Sequence, residues 1–353
     1  MGEMSACHVL VTGAAGYLGR KVVSVAAGRG HKVVAVVRPG TDLSGMSWFR
    51  HANVRVRELD LSLESASENL TGLLKEDLEN LVVVHTAGAL KGDDDHHARQ
   101  TIAPVRRLLD AMQKANRRRL VHMSSMSVYG YGALPEGGQL DETTPLEPYE
   151  DQRDAYCRAK ITQEKLLLEA AQCHGLRVTV LRAGVIFGPG RYWTSRLGIA
   201  RGKLGVQIGS RARIPWVQVD HCAEAVVLAV EHAPAGSDVF VRHDQEGRDG
   251  ALEVVNVIDD AQPTQKEYIK TMRTLSDAFP KFLLPVPWGA ARTLAKILEW
   301  VDMICPTGIS RLPGSIRPAS IYARFKPVRY SNCRLYDRLG WVPGNAREHA
   351  RDS

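Results

Sequence analysis

No C-x-x-C pair occurs in this chain, and its six cysteines (Cys7, Cys157, Cys173, Cys222, Cys305 and Cys333) are scattered. That spacing excludes a disulfide framework and a cysteine-based zinc site, and it suits a reducing compartment. No stretch approaches the ~18 uncharged apolar residues of a spanning helix. Met1 to His8 lacks the charged start and long apolar centre of a secretory signal, so a cytoplasmic location is expected. No internal repeat is visible, and no long block of like charge. The densest cluster, Arg117-Arg118-Arg119, reads as a helix end whose cations complement the macrodipole, not as a nucleic-acid contact. A net charge of +7 still leaves room for anionic ligands or an anionic membrane surface.

With 353 residues, 44% hydrophobic and 24% charged, the chain buries a core without a metal or disulfide staple. Short apolar runs at His8–Val11, Lys32–Val37, Val54–Leu59, Leu81–His85, Leu120–Met123 and Val178–Leu181 alternate with helical patterns. The helical patterns are Gly16–Gly30, Leu63–Leu78, His97–Asn116 and Asp154–His174, the last stopped by Gly175. Nearly continuous apolar strands separated by helices indicate a doubly wound parallel α/β sheet of Rossmann type. A strand-helix pair, Trp216–Val219 then Ala223–His232, is expected to return to that sheet. The expected division is a dinucleotide-binding domain at 1–187 with 213–241, and a smaller mixed C-terminal substrate lobe from 188–212 and 242–353.

Residues His8–Arg20 read HVLVTGAAGYLGR, with glycines at 13, 16 and 19 between a strand and a helix. Gly13 turns the chain, Gly16 admits a pyrophosphate to the backbone, and Gly19 lets helix and strand approach. Tyr17 and Leu18 belong to the same loop, whose amides hold the anion at a helix N-terminus. The second strand ends at Arg38 where an Asp or Glu would hold ribose hydroxyls, so NADP is preferred to NAD. Asp60 and Leu61 follow the third strand, where a carboxylate accepts from an adenine amino group. Ala87 and Gly88 follow the fourth, where small residues let the backbone pass the ribose.

Tyr156 and Lys160 lie four apart in a helical pattern and so share a face. An ammonium beside the phenol favours phenolate and suits Tyr156 to exchange a proton with a carbinol oxygen. Serines 124, 125 and 127 close the fifth strand, at the edge where open α/β sheets bind ligands.

These segments, with L-R-A-G-V-I-F-G-P-G, W-V-Q-V-D-H-C-A-E-A and L-G-W-V-P at 339–343, resemble the extended short-chain dehydrogenase/reductases. The resemblance is to the NAD-dependent epimerase/dehydratase and 3β-hydroxysteroid dehydrogenase-like group, up to about residue 235 and patchily beyond. It implies an enzyme with Ser125 as the catalytic serine beside Tyr156 and Lys160. It also implies that Ala183, Val185 and Phe187 flank the nicotinamide, and that the helix of Tyr156 helps form a homodimer.

Three departures bear on the reaction. Met126 and Ser127 stand where dehydratases of the group carry Asp-Glu, which speaks against dehydration. Ile214-Pro215-Trp216 replaces an Arg-Asp-aromatic run that grips a diphosphate in nucleotide-sugar enzymes, and Thr101 replaces a usual Asn. The expected reaction is therefore the NAD(P)-dependent interconversion of a secondary alcohol and a ketone on a small-molecule substrate, of sterol-dehydrogenase or ketone-reductase type. The alternative is a redox-neutral nucleotide-sugar epimerase using Arg191, Arg211 or Arg213. Residues 282–305 form an amphipathic segment, read as a helix from Trp288. It suits a core helix, a lid or a peripheral membrane contact. Asp93–His97 is read as a solvated loop rather than a metal site.

Overall fold

The computed structural model describes residues 6–232, 250–275, 279–304 and 314–341. In chain order its first half comprises β1 (His8–Thr12), α1 (Gly19–Gly28), β2 (Lys32–Val37), β3 (Val54–Glu58), α2 (Ala66–Leu74), β4 (Val82–His85), α3 (Asp94–His97), α4 (Ala103–Lys114), β5 (Arg119–Ser125), β6 (Gln139–Leu140), α5 (Ala155–His174) and β7 (Arg177–Ala183). There follow β8 (Val185–Phe187), β9 (Gly198–Arg201), β10 (Leu204–Ile208), β11 (Trp216–Gln218), α6 (Val219–Glu231), β12 (Ala251–Val257), α7 (Gln265–Leu275), β13 (Phe282–Val286), α8 (Trp288–Ile304), α9 (Pro318–Phe325), β14 (Arg329–Tyr330) and α10 (Cys333–Leu339).

Seven parallel strands form the main sheet in the order β12-β7-β5-β4-β1-β2-β3. The order reverses between β1 and β4, and that is where the carboxyl ends open a crevice. Alternation along the strands splits the core in two. Val9 and Val11 face α1 and α6, while Leu10 faces α2, α4 and α5. Each buried Val or Leu side chain contributes about 1.5–3 kcal/mol, so a one-residue slip of any central strand is prohibitive.

The three arginines before β5 do cap helices, but not their own. Arg117 donates to the carbonyls of Leu74, Glu76 and Leu78 after α2, at 2.8, 2.9 and 3.2 Å. Arg118 donates to Gly175 at the end of α5, and Arg119 to Val230 at the end of α6, both at 2.8 Å. One basic cluster thus satisfies the orphan carbonyls of three helices.

The strand-helix pair expected to return to the sheet divides. Helix α6 does pack on α1 in the main core. Strand β11 instead pairs with β8 in a two-stranded ribbon, because Gly184 lets the chain bend past Pro215. The seventh strand is β12, which pairs with β7. Residues 233–241 of that expected segment, and 305 and 342–343, lie outside the described residues.

The remaining elements make the smaller lobe, with a β13-β10-β9 sheet and helices α7 to α9. Helix α8 does not bury its whole apolar stripe. Ala291, Ala295 and Leu298 meet Ile321 and Phe325, whereas Leu294, Ile297 and Ile304 stay exposed. No described helix is long and apolar enough to cross a membrane.

Candidate active site

The loop after β1 is compressed against the end of β4. Gly13 sits at φ +73°, and a Cβ there would lie 2.8 Å from the Ala87 backbone. A Cβ on Gly19 would lie 2.1 Å from the Gly13 carbonyl oxygen. Only glycine allows this approach. The crevice beside the loop is a cavity of about 280 Å³. Gly13, Gly16, Arg38, Asp60, Leu61, Ala87 and Gly88 all line it, so the structure gathers residues from the ends of four strands.

Asp60 accepts from the Ser62 amide at 2.9 Å and its hydroxyl at 2.7 Å. Those two bonds hold its carboxyl below the usual range, so it is an acceptor at neutral pH. Arg38 is exposed and donates to Gln100 at 2.6 Å. Tyr17 and Leu18 point away from the cavity. Leu18 is buried in the core, while the Tyr17 ring lies under Arg191 at 4.2 Å and beside Arg20 at 5.4 Å. A nicotinamide dinucleotide fits this cradle: the glycine loop excludes side chains from the pyrophosphate position, and a carboxylate and small residues follow where adenosine lies.

Strand β5 delivers its serines to the same edge. Ser124 turns inward and donates to Glu164 at 2.5 Å. Ser125 stays half-buried and accepts from the Ser127 amide at 3.1 Å. Helix α5 starts cleanly because Asp154 caps it, accepting from the Cys157 amide at 2.9 Å. Tyr156 is therefore in the first turn, its phenol pushed up to about 12 by burial against the opposing hydrogen bond from Ser125.

Lys160 is buried, and its ammonium donates to the Met123 carbonyl at 2.7 Å. Burial lowers it to about 8, against the opposing charge of Glu164. Its Nζ also lies 3.9 Å from where a Cβ on Gly88 would be, so it borders the dinucleotide cavity. In this state the lysine faces strand backbone and cofactor crevice rather than lowering the Tyr156 phenol. Ala183 ends β7 in the core, and Val185 and Phe187 pack into the small lobe's cluster.

Several residues here escaped the sequence reading. The Asp93–His97 run is not a solvated loop: Asp93 caps α3, and His97 is buried with its ring 6.1 Å from the Tyr156 ring. His97 Nδ1 lies 3.2 Å from the Thr101 hydroxyl, which also accepts from the Ala89 amide at 3.1 Å. Thr101 sits in a π-helical turn, Ala98–Ile102, a distortion common near functional sites. His85 and His122 stack with centroids 5.4 Å apart, and burial keeps both neutral, His85 at about 3. Arg196 is held between Tyr131 and Tyr330 by hydrogen bonds of 2.8 and 3.1 Å. Cys157, pushed up to about 12 by burial, is an inert thiol. Among the described residues no group of three or more His, Cys, Asp or Glu is placed to hold a metal.

Known proteins sharpen the picture. The chain is 26% identical to UDP-glucose 4-epimerase of Azospirillum brasilense over 345 residues, 90% of this chain and 92% of that one. It is 26% identical over 233 residues to 3 beta-hydroxysteroid dehydrogenase/Delta 5-->4-isomerase of Mycobacterium tuberculosis, covering 64% of this chain and 60% of the relative. The chain spans only 54 to 60% of the length of the curated relatives with sterol and steroid names. Among solved structures, the UDP-Glc/GlcNAc 4-epimerase of Campylobacter jejuni matches with a TM-score of 0.68 at 16% identity, over 97% of this chain and 95% of that one. UDP-glucuronic acid 4-epimerase of Bacillus cereus, in complex with NAD, matches with a TM-score of 0.64 at 17% identity, over 96% and 94%.

The expected net interconversion of alcohol and ketone is thereby corrected. Several solved structures that match along nearly the whole chain are described as UDP-sugar 4-epimerases, and the steroid-type match stops short. Ile214-Pro215-Trp216 and Thr101 had weighed against that class, yet each is a local change inside a shared fold. The profile of the NAD dependent epimerase/dehydratase family matches residues 9–241, and the chain belongs to that family, as an enzyme of the extended short-chain dehydrogenase/reductase type that binds a nicotinamide dinucleotide.

Proposed function

We propose that this protein is a redox-neutral epimerase of nucleotide sugars that retains NAD through turnover. The observation that carries the reading is the match to a UDP-glucose 4-epimerase along nine-tenths of both chains. Arg38 had favoured NADP. NAD is preferred because solved structures of like fold are described in complex with it, and because Arg38 already donates to Gln100.

In this reading Gly13, Gly16, Tyr17, Leu18 and Gly19 form the pyrophosphate loop, and Arg38, Asp60, Leu61, Ala87 and Gly88 surround the adenosine half. Ala183 and Val185 border the nicotinamide. A nicotinamide held there would supply a reversible hydride acceptor for the sugar carbon. Ser125 holds the sugar oxygen, and Tyr156 takes the proton from that oxygen and returns it. Lys160, at the Gly88 edge, orients the cofactor ribose. Arg211 and Arg213 precede β11 and serve the diphosphate. The described residues of the lobe expected from 188–212 and 242–353 would border the sugar, apart from β12, which is committed to the sheet. A homodimer through α5 and a cytoplasmic location complete the proposal.

The test is incubation with UDP-glucose, UDP-galactose and UDP-N-acetylglucosamine without added dinucleotide, followed by proton NMR. Appearance of the C4 epimer is expected, with NAD released in near-stoichiometric amount on denaturation. Absence of any epimer, together with reversible uptake of NADPH into an empty site, refutes the reading.

A further inference from the structure

The β13-β10-β9 sheet turns one face away from the protein. Register places Leu204 opposite Phe282 and opposite Arg201, and Val206 opposite Leu284 and Ile199. Cross-strand partners point to the same side, and residues two apart along a strand do too. Ile199, Leu204, Phe282 and Leu284 therefore form one apolar surface, each 64 to 68% exposed. The opposite side carries Leu283, which packs into the core of the lobe. Apolar side chains thus stand on both sides of this small sheet.

Strand β13 passes through Pro287 alone into α8, which repeats the arrangement. Beyond the stripe that meets Ile321 and Phe325, α8 exposes Leu294, Ile297, Trp300, Met303 and Ile304 at 50 to 73%. Exposed apolar surface concentrated on adjoining elements marks an interaction site.

Charge chooses the partner. Arg201 and Lys203 flank the β9–β10 turn, and Lys281 precedes Phe282, whose amide bonds to the Lys203 carbonyl at 3.0 Å. All three cations are exposed, and none makes an ion pair among the described residues. Residues 198–208 and 281–286 contain no carboxylate. A second copy docked on this face would bring another set of the same cations and no anion to meet them. An anionic lipid surface supplies both what the apolar side chains and what the cations need. On α8, Trp300 is 59% exposed, and an exposed tryptophan suits the headgroup boundary.

We propose that the β9–β10–β13 face, with the outer side of α8, is a docking surface for anionic bilayers, which the protein touches peripherally without crossing. Insertion buries the apolar row to the depth of the acyl boundary, while Arg201, Lys203 and Lys281 stay at the phosphates.

The test is co-sedimentation of the full chain with vesicles of phosphatidylcholine alone and with about one third phosphatidylserine. Binding is expected only to the second and is weakened by salt. Lys203→Glu with Lys281→Glu lowers affinity at least about 25-fold, since each neutralised cation is worth about fivefold. Phe282→Ser with Leu284→Ser lowers it at least about tenfold. Both variants alter exposed side chains outside the catalytic and cofactor machinery, so unchanged circular dichroism and dinucleotide content are the control for folding. Failure to sediment with anionic vesicles, or binding that either variant leaves unchanged, overturns the proposal. So does a concentration-dependent dimer that Phe282→Ser with Leu284→Ser abolishes, because that result assigns the face to a second copy.

Discussion

The helix carrying Tyr156 and Lys160 is tied to the sheet by a buried ion pair. Arg182 on β7 donates through Nε to Glu164 at 3.0 Å and through its terminal nitrogen at 2.6 Å, a bidentate fork. Ser124 adds a third donor, and the Arg182 guanidinium lies 4.5 Å from the Tyr129 ring centre. Both side chains are under 8% exposed. Removing one partner leaves the other charge buried without compensation, which costs about 3–5 kcal/mol. Glu164→Leu and Arg182→Met should each lose about that much. The double variant should recover most of it, because two apolar groups replace the pair. Urea unfolding of dinucleotide-free protein measures this, with unchanged m-values as the check on the denatured state. The site responds as well, since the Glu164 charge opposes the desolvation that lowers Lys160 to about 8. Glu164→Leu therefore lowers Lys160 further. Single losses below about 1 kcal/mol, or a double variant whose loss is the sum of the two, would refute the argument.

Tyr156→Phe should reduce turnover about 10²–10⁴-fold while NAD content is unchanged, and undiminished turnover removes Tyr156 from the chemistry. Gly19→Ala forces a methyl to 2.1 Å from the Gly13 carbonyl oxygen, so the protein should purify without dinucleotide. Mass spectrometry showing full occupancy contradicts the cradle. Lys160 falls from its ordinary value to about 8, so the folded state binds the proton less tightly than the unfolded chain. Its contribution to stability is present above the unfolded value of about 10.4 and is lost as pH falls through about 8. Wild type should gain stability relative to Lys160→Met between those values, and parallel pH profiles rule the shift out.

Much of the sheet was written in the apolar runs. Lys32–Val37 keeps its bounds, and the other early strands move by one or two residues at an end. Strand β12 escaped because Glu253 and Asn256 interrupt its apolar run. Both are buried, and their partners come from far along the chain: Asn256 accepts from the Tyr129 hydroxyl at 2.6 Å, and Arg338 lies 3.6 Å from Glu253. Long-range satisfaction of that kind leaves no local pattern to read. The site divides in the same way. Glycine spacing and the four-residue interval of Tyr156 and Lys160 are local and were visible. The direction of the Lys160 ammonium depends on the Met123 carbonyl across the sheet, and the burial of His97 depends on a helix that begins in a run of aspartates. Neither has a periodic signature.

A redox-neutral enzyme has a requirement that a net dehydrogenase does not share: its dinucleotide must stay bound while substrate and product exchange. If the proposed reading holds, the contact between Arg191 and Tyr17 is placed to serve that requirement. After β8 the chain turns at Gly188, φ +152°, where a Cβ would meet the Tyr17 hydroxyl at 2.7 Å. Three residues on, Arg191 lies over the Tyr17 ring at 4.2 Å. The lobe side of the crevice is thus stacked on the pyrophosphate loop by a cation–π contact worth about 0.5–2 kcal/mol. Such a contact opposes opening of the nucleotide loop. Removing it should speed release of the cofactor by about two- to thirtyfold without touching the reacting groups. Arg191→Ala should therefore lose NAD on dialysis while wild type retains it, and added NAD should restore turnover to the wild-type rate. If Arg191→Ala holds its dinucleotide as firmly as wild type, this contact is not what retains the cofactor.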